Sequence, residues 1–432
     1  MMRMHWNEHP DRKAMLLEIH ARPYESLTAP LLINRLAFLV DPAEFENEFS
    51  HLCSLLESHG VAIPPAESRH VSANLGGVGL RWERHTEFIT YTFWRRSADA
   101  PTIEMHAYDP LPKDWLHGVK GKLISLQRLQ ITTSSTEQAL TRARAELDED
   151  SLVGSEIVEG RLTLFTDLRR RPDGSVHWLI NVHESLSERQ LGRYVSRVLD
   201  LETYRLMALL GLPGARRVGS LLKDAERRLN LLADQIQNAA RSEESQLLDD
   251  LTRLATEVEA MYAANHTRFS ASAAYFDLTN SRVQELREKR INGLQTIRGF
   301  LNRRLTPAMQ TCAWAERRLN NLSTRISQTS QLLRTRVELE QAESQQELMK
   351  TMTQRQGLQL MMQSAVEGLS IAAIAYYGAG IVTYLAEVAI TYGWPISPKV
   401  TAALSIPLIA FSVWSGLRRL RKRVHDTLGD GY

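Results

Sequence analysis

The sequence predicts an α+β protein in three parts. These are an N-terminal mixed α/β domain over residues 1–185, a helical or coiled-coil stalk over 186–365, and a two-helix transmembrane hairpin over 366–418. Three observations carry that expectation. Short runs rich in Leu, Ile, Phe, Tyr and Thr fall in the N-terminal part. Neither Gly nor Pro occurs from Ala308 to Gln356. Near the C-terminus, 368–386 and 400–417 contain no charged residue.

In the N-terminal part, "LLINRLAFLV" (31–40), "TEFITYTFW" (86–94), 122–132 and 161–166 read as strands, since β-branched and aromatic residues fit a pleated, half-buried surface. A helix is expected around 42–59. "RRRPDGSVHWLINVHE" reads as a hairpin turn at Pro172–Gly174 followed by another strand. "LGGVGL" (75–80) has the glycines of a phosphate loop, but no Lys-Ser/Thr follows them, so turn chemistry accounts for it. "GVKGKL" fails the same spacing.

The middle begins at Ser187, with Gln190 three residues on, the spacing of a capping box. That helix should stop at Gly211, and Pro213 suits the first turn of the next. Amphipathic helices are expected over about 214–240, 243–265 and 267–305. Leu319, Leu322, Ile326, Thr329, Leu333 and Val337 alternate three- and four-residue steps, a heptad seam. Pro307 marks either a kink or a first turn. Met349, Met352, Met361 and Met362 read as adaptable packing rather than a peptide groove, and Cys312 as a small buried residue rather than a reactive thiol.

Spans are expected at about 367–390 and 400–417, because roughly 20 apolar residues at 1.5 Å rise cross a hydrocarbon core of about 30 Å. "RRLRKR" follows: Arg418, Arg419, Arg421, Lys422 and Arg423. The positive-inside rule puts this cluster, the 419–432 tail and the N-terminal bulk in the cytoplasm. Tyr376, Tyr377 and Tyr384 lie within the first span; Tyr392 and Trp394 suit the far interface. Ser364, Gly368 and Ala372 recur every four residues, as do Ala375 and Ala379. Small residues at that spacing let helices approach closely in lipid, either within the hairpin or between copies. Pro407 should kink the second span or be accommodated there.

Composition excludes some classes. Lys and Arg number 52 against 50 Asp and Glu, so no excess of charge points to nucleic acid. Two cysteines, Cys53 and Cys312, supply no disulfide framework. The N-terminus lacks the apolar core of a secretory signal. No nucleophile, kinase or zinc-hydrolase motif is present, so no enzyme is expected and no cofactor is named. Glu18, His20 and Arg22 of "EIHARP" would share one side of an extended segment, as a metal or anion site or, more simply, a structural turn. His177 and His183 share strand parity, as do Asn181 and His183, which falls short of a metal signature.

"EIHARP" (18–23), "GFLNRRLTPAMQTC" (299–312), "LLRTRV" (332–337) and "SAVEGLSIAAIAYYGAG" (364–380) resemble an uncharacterised bacterial family of membrane-anchored proteins, DUF3422. The resemblance implies a bacterial inner-membrane protein and brings no known site residues. A looser likeness, in order of elements only, is to CorA-type magnesium transporters. Their Gly-Met-Asn signature is absent; "YGAG" (377–380), with Gly378 and Gly380, and "YGW" stand near its place. Two functions follow as expectations. One is a membrane-anchored, self-associating scaffold. The other is a divalent-cation channel with Glu387 as an acidic ring at the outer mouth, unless Glu387 is an interfacial residue paired with Lys399. A hydrolase or sensor using Glu18 and His20 ranks below both.

Overall fold

The structure is a computed structural model describing residues 9–12, 15–16, 24–97, 105–184, 186–240, 243–390, 392–393, 395 and 397–429. It divides into two compact units, Met1–Ser330 and Gln331–Tyr432.

The first unit is built on one mixed sheet. Its strands are β1 (Leu31–Leu39), β2 (His70–Leu75), β3 (Val78–Arg84), β4 (Phe88–Arg96), β5 (Lys122–Thr133), β6 (Val153–Ile157), β7 (Leu162–Arg170), β8 (Val176–Val182) and β9 (Lys289–Arg290). Their order is β2-β3-β4-β1-β5-β8-β7-β6-β9. Neighbours are antiparallel except β5 and β8, which run parallel.

Alternation along the strands sends side chains to two faces. Ile33, Leu129 and Trp178 are register neighbours on one face. They pack with Val195 and Leu199 of α4 (Glu188–Leu209) and with Val283 and Leu286 of α6 (Glu244–Leu286). The opposite face carries α1 (Phe45–Ser58), whose Leu52, Leu55 and Leu56 meet Leu32, Trp82 and Tyr91. Further along, α3 (Thr136–Glu146) sets Ala139 and Ala143 against Phe165 and Leu179. A short helix, α2 (Lys113–His117), stacks Trp115 on His51 of α1.

The expected strands and the helix at 42–59 are all present, within a few residues of their expected bounds. "LGGVGL" is indeed a turn: β2 and β3 form a hairpin with Leu75 opposite Val78. Gly76 and Gly77 both take positive φ, 64° and 99°, the requirement of a type I′ turn. The Pro172–Gly174 turn likewise joins β7 to β8. The Ser187 capping box is formed, and α5 (Leu212–Asn238) carries Pro213 in its first turn.

One expectation needs correction. The break expected at 265–267 does not exist, because α6 runs unbroken to Leu286. The helix stops at Arg287, which caps it in the left-handed conformation. Asn292–Gly293 then makes a turn, with Gly293 at φ 82°. Helices beyond residue 186 also pack on the sheet: β9 pairs with β6, and α4 and α6 form one wall of the sheet's core.

The last two helices are α7 (Ile297–Ile390), continuous through Pro307, and α8 (Pro398–Gly429), continuous through Pro407. Leu319, Leu322, Ile326 and Leu333 of the heptad seam are buried, while Thr329 and Val337 are half-buried. From 341 to 366 every residue is exposed.

Candidate functional site

A cavity of about 570 Å³ opens where β3 turns into β4. Phe45, Phe88, Tyr204 and Tyr275 supply aromatic walls; Arg69, Arg84, His85 and Thr86 supply polar groups. The rings are held by stacking: His85 on Phe88 at 4.1 Å and Tyr204 on Tyr275 at 5.9 Å between centroids. Arg84 lies over the Phe45 ring at 4.3 Å.

The acids around this cavity are already engaged. Glu87, beside the turn, is held by Arg268 of α6 and by the Tyr275 hydroxyl. Arg35 donates to Asp200 at 2.6 Å, to Glu83 at 2.9 Å and to the Thr92 hydroxyl at 3.0 Å. Arg81 donates to the other Glu83 oxygen at 2.9 Å. Burial alone would raise the Glu83 carboxyl; Arg35 and Arg81 overrule it and hold it at about 2. Burial, helped by Asp200, pushes Tyr204 up to about 12, so its hydroxyl keeps its proton at neutral pH. Tyr275 is likewise raised, by burial and by Glu87.

A second polar cluster lies on the α1–α3 face of the sheet. Arg128, nearly buried, donates to Asp173 at 3.2 Å and to the His106 ring, and Asn34 binds the same ring at 3.2 Å. Ser175 donates its hydroxyl to Asp173 at 2.7 Å and meets His177 Nε2 at 2.9 Å. Hydroxyl, imidazole and carboxylate are together, but not in the arrangement of nucleophilic catalysis. There the carboxylate orients the imidazole and the hydroxyl donates to that imidazole; here the Ser175 hydroxyl donates to Asp173 directly, and Ser175 is fully buried. Burial, then Arg128 and Arg171, lower His177 to about 4. His183 is tied to Thr163 at 3.1 Å and to Asn181 at 3.1 Å, a structural hub apart from His177. Among the described residues, no group of three His, Cys, Asp or Glu could hold a metal ion. Glu18, His20 and Arg22 lie outside the described residues.

Helix α7 and Pro398–Gly416 of α8 are long and apolar enough to cross a membrane. Their seam is made of small residues. Ala375, Ala379 and Ala386 are buried. At Gly378 an added Cβ would stand 3.0 Å from Ile409 Cδ1. Of the five small residues singled out, Ala375 and Ala379 are the buried ones. Ser364, Gly368 and Ala372 stay exposed, as does Glu387, and Gly380 borders open space. Both glycines of "YGAG" lie well inside α7, away from its end at Ile390. Glu387 and Lys399, both described, form no ion pair. Arg418 lies over Trp414 at 5.1 Å, and Arg418 and Arg419 are exposed. Arg421, Lys422 and Arg423 continue the helix, with their side chains outside the described set. Trp394 is also outside it. Cys312 is buried and, like Cys53, free.

The family model described as "Protein of unknown function (DUF3422)" matches residues 7–424. The chain belongs to that family. No curated protein and no solved structure matches it. What can be said of this DUF3422 chain's chemistry thus comes from its own residues. Sequence reasoning missed Arg69, Arg84, Arg128 and His106 because none sits in a motif; the fold brings them together. A cue was available for the first pair: two arginines placed symmetrically about the Gly76–Gly77 turn, at matching distances along a hairpin.

Proposed function

We propose that the chain is a membrane-anchored protein that self-associates and presents its α+β unit to the cytoplasm, as an interaction scaffold of the bacterial inner membrane. The observation that carries this is the run from 341 to 366, which is helical yet exposed at every position. It displays Leu348, Met349, Met352, Leu358, Leu360, Met361, Met362 and Val366, each at least 61% exposed. Helices gain most of their stability from packing an apolar face, and large exposed apolar stretches mark association surfaces. A second copy of this chain, held in the same bilayer by its hairpin, presents the same surface at high effective concentration. Two spans would return the chain to the side it left, and the basic run from Arg418 to Arg423 supports the cytoplasm as that side.

Light scattering of the detergent-solubilised protein tests this reading: the expected mass is a multiple of 49.1 kDa, and a single-chain mass overturns it. A second reading rests on Glu387, exposed close to the end of α7. A channel of CorA type would add divalent-cation flux in liposomes that is lost in Glu387→Ala.

A further inference from the structure

The arginines at the β3–β4 cavity are placed against their own electrostatics. His70 and Glu83 pair across the β2–β3 ladder, and one step further Arg84 N–H donates to the Arg69 carbonyl at 2.8 Å. Arg69 and Arg84 are therefore cross-strand neighbours. Directly opposed side chains have Cβ atoms about 5 Å apart, and like charges there destabilise the sheet. Elsewhere in this unit arginines next to the sheet meet carboxylates: Arg35 with Glu83 and Asp200, Arg81 with Glu83, Arg128 with Asp173, Arg268 with Glu87. Among the described residues, neither Arg69 nor Arg84 has a carboxylate partner, and both line the same cavity.

We infer that this cavity binds a phosphomonoester carried on an aromatic body, the chemistry of a nucleoside monophosphate. The charge count selects the anion. Two uncompensated guanidiniums match a dianion, and a phosphomonoester carries about −1.5 to −2 at neutral pH. A monocarboxylate would leave one guanidinium unbalanced. Guanidinium forks also fit phosphate oxygens in bidentate fashion, which is why Arg rather than Lys suits the position. The walls select the body. Phe45, Phe88 and Tyr204 are buried rings bordering the space, and half-buried Tyr275 offers it ring surface on which a planar base can stack. Tyr204, which keeps its proton at neutral pH, lines the same cavity and adds no negative charge to it. A volume of about 570 Å³ lies within the usual range of small-molecule pockets. The inference stands on the first unit alone and is independent of the membrane reading.

Calorimetric titration of the full chain in detergent with AMP, adenosine and inorganic phosphate tests it. AMP should bind at least tenfold more tightly than either fragment. Arg69→Gln and Arg84→Gln should each weaken AMP at least tenfold, whereas Arg227→Gln on the exposed side of α5 should leave it unchanged. Because the ligand-free pair is repulsive, Arg69→Gln should melt at or above the wild-type temperature. No AMP binding by the wild type, equal AMP affinity in the Arg69→Gln protein, or a lowered melting temperature for that variant would each overturn the assignment.

Discussion

Arg35 of β1 donates to Asp200 of α4 at 2.6 Å, so a charge pair ties the sheet to its helical wall. The same guanidinium holds Glu83, and Asp200 also accepts from Arg282 of α6 at 3.3 Å. Arg35 is almost fully buried. Removing one member of a buried pair leaves the other desolvated without compensation, at a cost of about 3–5 kcal/mol. Arg35→Ala should therefore destabilise the protein by about that much in denaturant unfolding. Arg227→Ala, whose partner Asp224 lies on an exposed helix face, should cost less than about 1 kcal/mol.

Gly378 is where α7 comes close to Ile409 of α8. A Cβ there meets Ile409, whereas at Gly380 it meets nothing within 4 Å. Gly378→Leu should push the two helices apart and make the hairpin sensitive to protease in detergent; Gly380→Leu should not. Equal sensitivity in the two variants would show that this seam does not hold the hairpin together.

His177 makes stability depend on acid. Its folded pKa, about 4, lies below the ordinary histidine value, so the unfolded chain binds the proton first as pH falls. Stability is then complete above about pH 6.5 and is lost progressively toward pH 4, by about 3 kcal/mol at most, from about 1.4 kcal/mol per unit of pKa. The decline comes from burial, reinforced by Arg128 and Arg171, with Asp173 and Asp167 opposing it. His177→Asn should flatten melting temperature against pH between 7 and 4; an unchanged slope would assign the acid sensitivity to other groups.

The Ser187 capping box opens α4, with the Ser187 hydroxyl accepting from Gln190 N–H at 3.3 Å. Ser187→Ala should cost about 1 kcal/mol in unfolding experiments, and Ser187→Asp should retain most of that.

These features differ in how far they could be read from the chain. The β-rich runs, the Ser187 cap, the Pro172–Gly174 turn and the charge-free spans are local patterns, and each appears where the residues place it. The split expected near residue 266 failed because no cap or breaker stands there, whereas Asn292–Gly293 supplies one. β9 was illegible because two residues become a strand only by pairing with β6. The Arg69–Arg84 pair depends on hairpin register, and its cavity on Tyr204 and Tyr275 arriving from α4 and α6. Such convergence across long sequence separations leaves little trace in any one stretch.

Under the proposed function, lipid covers the faces of α7 and α8 that stand exposed, among them Leu369, Tyr376, Tyr384, Leu404, Leu408 and Phe411. Fractionation of lysed cells expressing the full chain measures this directly. The protein should stay in the membrane pellet through alkaline carbonate washing and come free only in detergent. Recovery in the soluble fraction without detergent would contradict it.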